Sequence, residues 1–145
     1  MKRKYLIGAL VVFVAIQFVR PTRNYSSVES ANEISLHYKV PENVHAILKH
    51  ACYDCHSNNT IYPFYANVQP VGWWLQYHIN DGKKHLNFSE FGSYPEKKAK
   101  GKFEDIEDAS INGWMPLTSY TWIHKDTELT AEQSKAVAEW AKSLK

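Results

Sequence analysis

Cysteine is scarce in this chain. There are two in 145 residues, Cys52 and Cys55. With no second pair, the usual structural zinc site, which has two well-separated ligand pairs, lacks half of its donors. A disulfide across so short a loop would close almost nothing and add little stability. Methionine is as sparse, since Met115 is the only one besides the initiator. No strand-like alternation precedes the cysteines, so a redox dithiol lacks its βαβ setting. A surplus of one charge is also missing. The formal charge of +2 rests on Lys2, Arg3, Lys4 and Arg20; removing these four from 17 bases leaves 13 against 15 acids. No basic face for nucleic acid is supported. No nucleophile–base pair is evident either, which points to a carrier more than a catalyst.

What is present is Cys52-Tyr53-Asp54-Cys55-His56. Two cysteines spaced by two residues and followed at once by histidine read as a c-type haem attachment site. Residues i and i+3 share one face of a helical turn, so both thiols can meet the edge of one flat ring. Cys52 and Cys55 would form the thioethers, and His56 would be the proximal iron ligand. The competing readings are a dithiol, or zinc held by Cys52 and Cys55 with His45 and His50. The aromatic share of 14% suits a pocket for a large flat ligand, although ordinary packing also uses aromatics.

Residues 1–20 open with a basic cluster and continue as an almost wholly apolar run from Tyr5 to Val19. A membrane span takes ~20 apolar residues, and Lys4 and Arg20 can snorkel to lengthen a short one. Arg20-Pro21-Thr22-Arg23 is a poor cleavage site, so the segment is expected as an uncleaved transmembrane anchor rather than a removed signal. The basic start places the N-terminus in the cytoplasm and the remainder on the periplasmic side of a bacterial cytoplasmic membrane. Residues 21–39 are polar and aperiodic, as a linker would be, and residues 40–145 form the haem-binding domain.

Within that domain the patterns are helical. Pro41 opens a helix with Val44, Ile47, Leu48 and Ala51 on one face, running into Cys52. Ile61 to Gln69 is an irregular aromatic segment expected to cover a haem face or edge. Pro70 opens a second helix, with Gly82 expected as its left-handed cap. Gly82 to Gly92 reads as a loop whose Lys83 and Lys84 are candidate propionate partners. Ser93-x-x-Glu96 and Thr130-x-x-Gln133 are capping-box patterns for two further helices, the first ended by Gly113. Leu117 to Ile123 reads as extended.

The sixth iron ligand has three candidates. Met115 leads, as a thioether on a loop stiffened by Pro116. His78, on the apolar stripe of the second helix, and His124 are the alternatives.

The chain resembles the membrane-anchored, single-haem c-type proteins known as haem-binding-domain proteins. The resemblance covers nearly the whole chain. It is carried by Gln17-Phe18-Val19-Arg20-Pro21, Cys52 to Asn58, Tyr62-Pro63-Phe64-Tyr65, Pro70 to Trp74, His78 and Leu86-Asn87-Phe88-Ser89. It continues through Met115-Pro116-Leu117, Tyr120, His124, Leu129-Thr130 and Trp140. Phe64 stands where the family often has Trp, which would keep an aromatic wall. The resemblance implies one covalent haem c and an extracytoplasmic site. The expected fold is all-α, a small class I cytochrome c-like domain by analogy. The expected function is one-electron transfer with redox protein partners at the membrane. Its rivals are a haem sensor or peroxidase-like enzyme with an open distal site, and a structural zinc domain.

Overall fold

The computed structural model describes residues 2–145. The fold is all-α: 65% of the chain is helical, and no strand occurs among the described residues. The eight α-helices are α1 (Lys2–Ile16), α2 (Ile34–His37), α3 (Glu42–Ala51), α4 (Tyr53–His56), α5 (Val71–His85), α6 (Glu96–Asn112), α7 (Thr118–Thr121) and α8 (Ala131–Lys142). Short 3-10 segments occur at Phe64–Asn67, Phe88–Ser93 and Lys125–Thr127.

The main core forms where α3, α6 and α8 meet. Val44 and Leu48 of α3 pack with Phe103 and Ile106 of α6 and with Val137 and Trp140 of α8. Helix α6 buries Ala99, Phe103, Ile106 and Ser110 at helical spacing, while Lys100 and Glu96 pair at 3.2 Å on its outer face. It stops at Gly113, whose φ of 65° is the left-handed conformation that spares a Cβ, and whose N–H donates to Ala109 O at 3.0 Å. Phe91, Phe103 and Tyr38 meet at 4.9–5.5 Å in edge and tilted contacts. Each fully buried Phe contributes ~1.5–3 kcal/mol from area alone. Trp140 keeps its N–H satisfied on Lys39 O at 3.1 Å. A smaller cluster, Ala66, Leu75 and Ile79, lies under α5.

Helix starts divide by chemistry. Thr130 caps α8 as the sequence predicts: its Oγ1 accepts from Gln133 N at 3.2 Å, and Gln133 Oε1 accepts from Thr130 N at 2.9 Å. Ser93 does not cap α6. The helix begins after Pro95, and Ser93 Oγ donates to Glu90 O at 2.6 Å inside the preceding 3-10 turn. Proline at that entry presets the backbone, so the serine is used elsewhere. Helix α5 also runs past Gly82 to His85, and Gly113 is the glycine with positive φ among the described residues. Leu117 to Ile123 contains α7 rather than an extended stretch.

The N-terminal expectation needs correction. Helix α1 has 15 residues, about 22 Å at 1.5 Å per residue, against ~30 Å of bilayer hydrocarbon. Among the described residues no helix is long and apolar enough to cross a membrane. The apolar run is cut at its end because Gln17 leaves the helix to bond the domain. Its side-chain amide donates to Gln69 O at 3.0 Å and accepts from Gln69 N at 2.8 Å. The following segment is also bonded in place. Buried Asn24 donates to Ser57 O and to Thr60 Oγ1, each at 2.9 Å, and accepts from Lys83 Nζ at 2.5 Å. Ile34 is fully buried in the main core.

Candidate functional site

A cavity of about 420 Å³ opens between α3, α4, α5, α6, α8 and the loop before α7. Its size lies within the ~300–1,000 Å³ typical of cofactor sites. The lining is largely apolar, with Leu48, Phe88, Ile106, Ala109, Pro116, Leu117 and Val137. Cys52, Cys55, His56, His78 and Met115 all reach it.

The motif occupies a break between two helices. Cys52 ends α3, with its N–H on Leu48 O at 2.9 Å, and α4 turns over the next four residues. Both thiols are half-buried and face the cavity. Burial, with each other's proximity as a lesser cause, pushes Cys52 up to about 12. Burial and the Asp54 carboxylate push Cys55 up to about 11. At neutral pH these are protonated thiols, unlike the low-pKa thiolates of redox dithiols.

His56 is set for coordination by its neighbours. Its Nδ1 lies 3.0 Å from Leu86 O. A carbonyl only accepts, so the proton sits on Nδ1 and the lone pair on Nε2. Burial lowers its pKa, opposed by that hydrogen bond, and so favours the neutral imidazole. This is the form and the outer support found in metal-ligating histidines. Phe88 meets the ring edge-on at 6.4 Å.

Gly82 is what brings α5 onto this turn. A Cβ there would lie 2.8 Å from Cys55 O. Its role is close approach of two backbones, not helix capping. The continuing stripe Leu75, Ile79, Gly82 is the signal that would have revealed it.

The other candidates divide. Met115 is half-buried on the cavity wall, and its peptide bond to Pro116 is cis. His78 also lines the cavity, edge-on to Trp74 at 4.4 Å. His124 does not reach it. His124 lines a small neighbouring cleft, with Nε2 2.6 Å from Tyr65 Oη and its ring stacked on Tyr120 at 4.7 Å. Of the stretch Ile61 to Gln69, Ile61, Pro63 and Tyr65 line that cleft and none lines the large cavity, and Phe64 is 85% exposed, so it is no cavity wall. Lys83 is engaged with Asn24, and neither it nor Lys84 lines the cavity. Lining residues that sequence reasoning missed include Lys102 and Asp105, while Tyr120 was singled out without a place on the wall. Lys102 and Asp105 pair at 2.6 Å at helical spacing, which from sequence reads as an ordinary solvated pair.

The zinc set is not assembled. His50 Nε2 is 3.0 Å from Asp126 O, and His45 packs edge-on to Tyr53. Among the described residues no group of three or more His, Cys, Asp or Glu is placed to hold a metal ion. The donors that remain on this apolar cavity include two thiols, the His56 imidazole with its lone pair on Nε2, the His78 imidazole and one thioether. That set fits haem.

A family model described as a haem-binding domain matches residues 11–143. The chain belongs to the haem-binding domain family. The match takes in α3 to α8 and every residue named on the cavity wall. No curated protein and no solved structure matches the chain. The family establishes haem as the cofactor class, and the cavity geometry supplies its candidate ligands.

Proposed function

We propose that this haem-binding domain protein holds one haem c covalently and passes single electrons. The observation that carries the reading is the shared cavity wall of Cys52, Cys55, His56 and Met115. Bound haem supplies the one-electron couple. The protein's part is to hold, ligate and shield it. Cys52 and Cys55 would hold the haem through two thioethers, each sulfur bonding one vinyl carbon and each thiol proton going to the other. His56 contributes Nε2 and is kept from turning by Leu86 O. Met115 would supply the second protein ligand, a thioether, which favours the ferrous state relative to bis-histidine ligation. The apolar wall would keep water from the bound group.

A second reading has one observation in its favour: His78 lines the same cavity. If the thioether yields its place, His78 is positioned as a distal acid–base group in a sensor or peroxidase-like enzyme.

The setting proposed is the periplasmic face of a bacterial cytoplasmic membrane, with redox proteins as partners and no nucleic acid. Helix α1 supports it: none of its residues is buried and most are apolar, so lipid is the natural cover for them.

Intact mass of the full chain, matured with haem-attachment machinery, tests the covalent part. Addition of one macrocycle is expected, and an unmodified mass overturns it. The ferric absorption spectrum tests the ligand. A sulfur-to-iron charge-transfer band should be present and lost in Met115→Ala, but kept in His78→Ala and His124→Ala. Rapid carbon monoxide binding by the ferrous wild-type chain would favour the second reading.

A further inference from the structure

Tyr120 joins the two walls of the cavity. It stands five residues after Met115, in α7, and lines the cavity as Met115 does. Its hydroxyl donates to Asp54 Oδ2 at 2.8 Å. Asp54 lies between the two cysteines, and its other oxygen accepts from Ile61 N at 3.0 Å. The carboxylate is therefore held in place on the attachment turn, and the phenol brings the Met115 loop to it.

Few other side-chain bonds tie that loop down, although just past it His124 stacks on Tyr120 and bonds Tyr65 Oη. From Trp114 to Ile123, two side-chain hydrogen bonds leave the segment: Trp114 Nε1 to Asp108 Oδ2, long at 3.3 Å, and Tyr120 to Asp54. The backbone of α7 bonds within itself, with Tyr120 N and Thr121 N both on Leu117 O at 2.8 and 3.0 Å. Trp114 and Trp122 are 48% and 78% exposed, and Met115, Pro116, Leu117 and Tyr120 are half-buried, so no side chain of the segment is fully buried. A hydrogen bond to an ionised acceptor is stronger than a neutral pair, and this one spans the cavity.

We propose that Tyr120 is a positioning residue for the distal ligand: its bond to Asp54 latches the Met115 loop to the haem-attachment turn. With the bond in place, Met115 would be held where it can ligate a bound haem. Without it the loop would be less firmly tied, and a bound haem would be more open to external ligands. The inference rests on the reading of Met115 as distal ligand.

The test uses the full chain carrying haem and follows imidazole binding to the ferric protein by stopped flow. Tyr120→Phe keeps the ring and its stack on His124 and removes only the hydroxyl. It should bind imidazole about tenfold faster, the factor given by about 1.4 kcal/mol of lost closure, while the charge-transfer band persists without imidazole. Asp54→Ala should speed binding similarly, and the double variant should add no more, because one bond is being removed. Tyr65→Phe, which alters the far side of His124, should stay within twofold of wild type. Met115→Ala should bind fastest. A Tyr120→Phe rate within twofold of wild type, with Met115→Ala fast, overturns the latch alone. A slow Met115→Ala overturns the ligand reading on which it stands. If Tyr120→Phe does not mature, Asp54→Ala carries the decision by the same limits.

Discussion

The cavity wall that carries the cysteines is held by buried, mutually packed parts. Gly82 brings α5 against Cys55, Leu86 O fixes His56, and Phe88 stacks on Tyr53 at 5.1 Å. The wall that carries Met115 is a short loop and a four-residue helix, flanked by exposed Trp114 and Trp122. Each carries one of the proposed iron ligands, His56 on the first and Met115 on the second, and the first is the more firmly packed. The contrast teaches that one proposed ligand is built into the domain and the other is borne by a lightly anchored segment. Local opening draws on regions with few buried apolar contacts, and here such a region bears the thioether.

The contrast breaks if the two walls contribute alike to folding. The largest expected effect is Phe88→Ala. This side chain is 1% exposed and joins the cavity to the main core, so urea unfolding should show a loss of about 3–5 kcal/mol. Gly82→Ala comes next. Its Cβ would meet backbone at 2.8 Å, not a flexible side-chain tip, so about 1–3 kcal/mol is expected from overpacking, with lower haem yield on maturation. Met115→Ala should cost less, about 1 kcal/mol or below for a half-buried side chain on a loop, although it removes the charge-transfer band. Equal unfolding losses for Phe88→Ala and Met115→Ala would erase the distinction between the walls.

The smallest effect sharpens it by pH. Burial lowers the pKa of His56 and of His45 in the chain without haem. The unfolded chain then binds protons more readily, so stability rises with pH through this range. Apo-protein stability should be full above the unfolded histidine value of about 6.5 and fall as the pH drops below it. His45→Gln should remove part of the slope and leave the part due to His56. A flat profile from pH 5 to 8 would show that the rigid wall does not hold His56 neutral.

Much of the scaffold was readable because it is local. The stripe Val44, Leu48, Ala51, the stop at Gly113 and the Thr130 box each depend on residues within a few positions of one another. The cysteine-histidine motif was readable for the same reason. What escaped depends on distant partners. Gly82 and Cys55 O are far apart in sequence, so a glycine in a helix was mistaken for its end. His124 looked as available as His78 until the fold turned it towards Tyr65. Phe64 looked like wall because aromatic character carries no direction. Residues 21–39 read as aperiodic because Asn24 and Ile34 are single anchoring points, and a period needs repeats.

The Gln17 amide meets the Gln69 backbone through two bonds, as donor and acceptor, and Trp73 Nε1 adds a third bond to Val19 O at 2.7 Å. One hydrogen bond would act as a hinge; a pair plus a distant third acts as a bracket. The bearing of α1 and the bearing of the cavity mouth are thereby set together. Any swing of α1 about the domain has to break all three together, so the helix moves less like a lamp on a cord than like a shelf on its fixing.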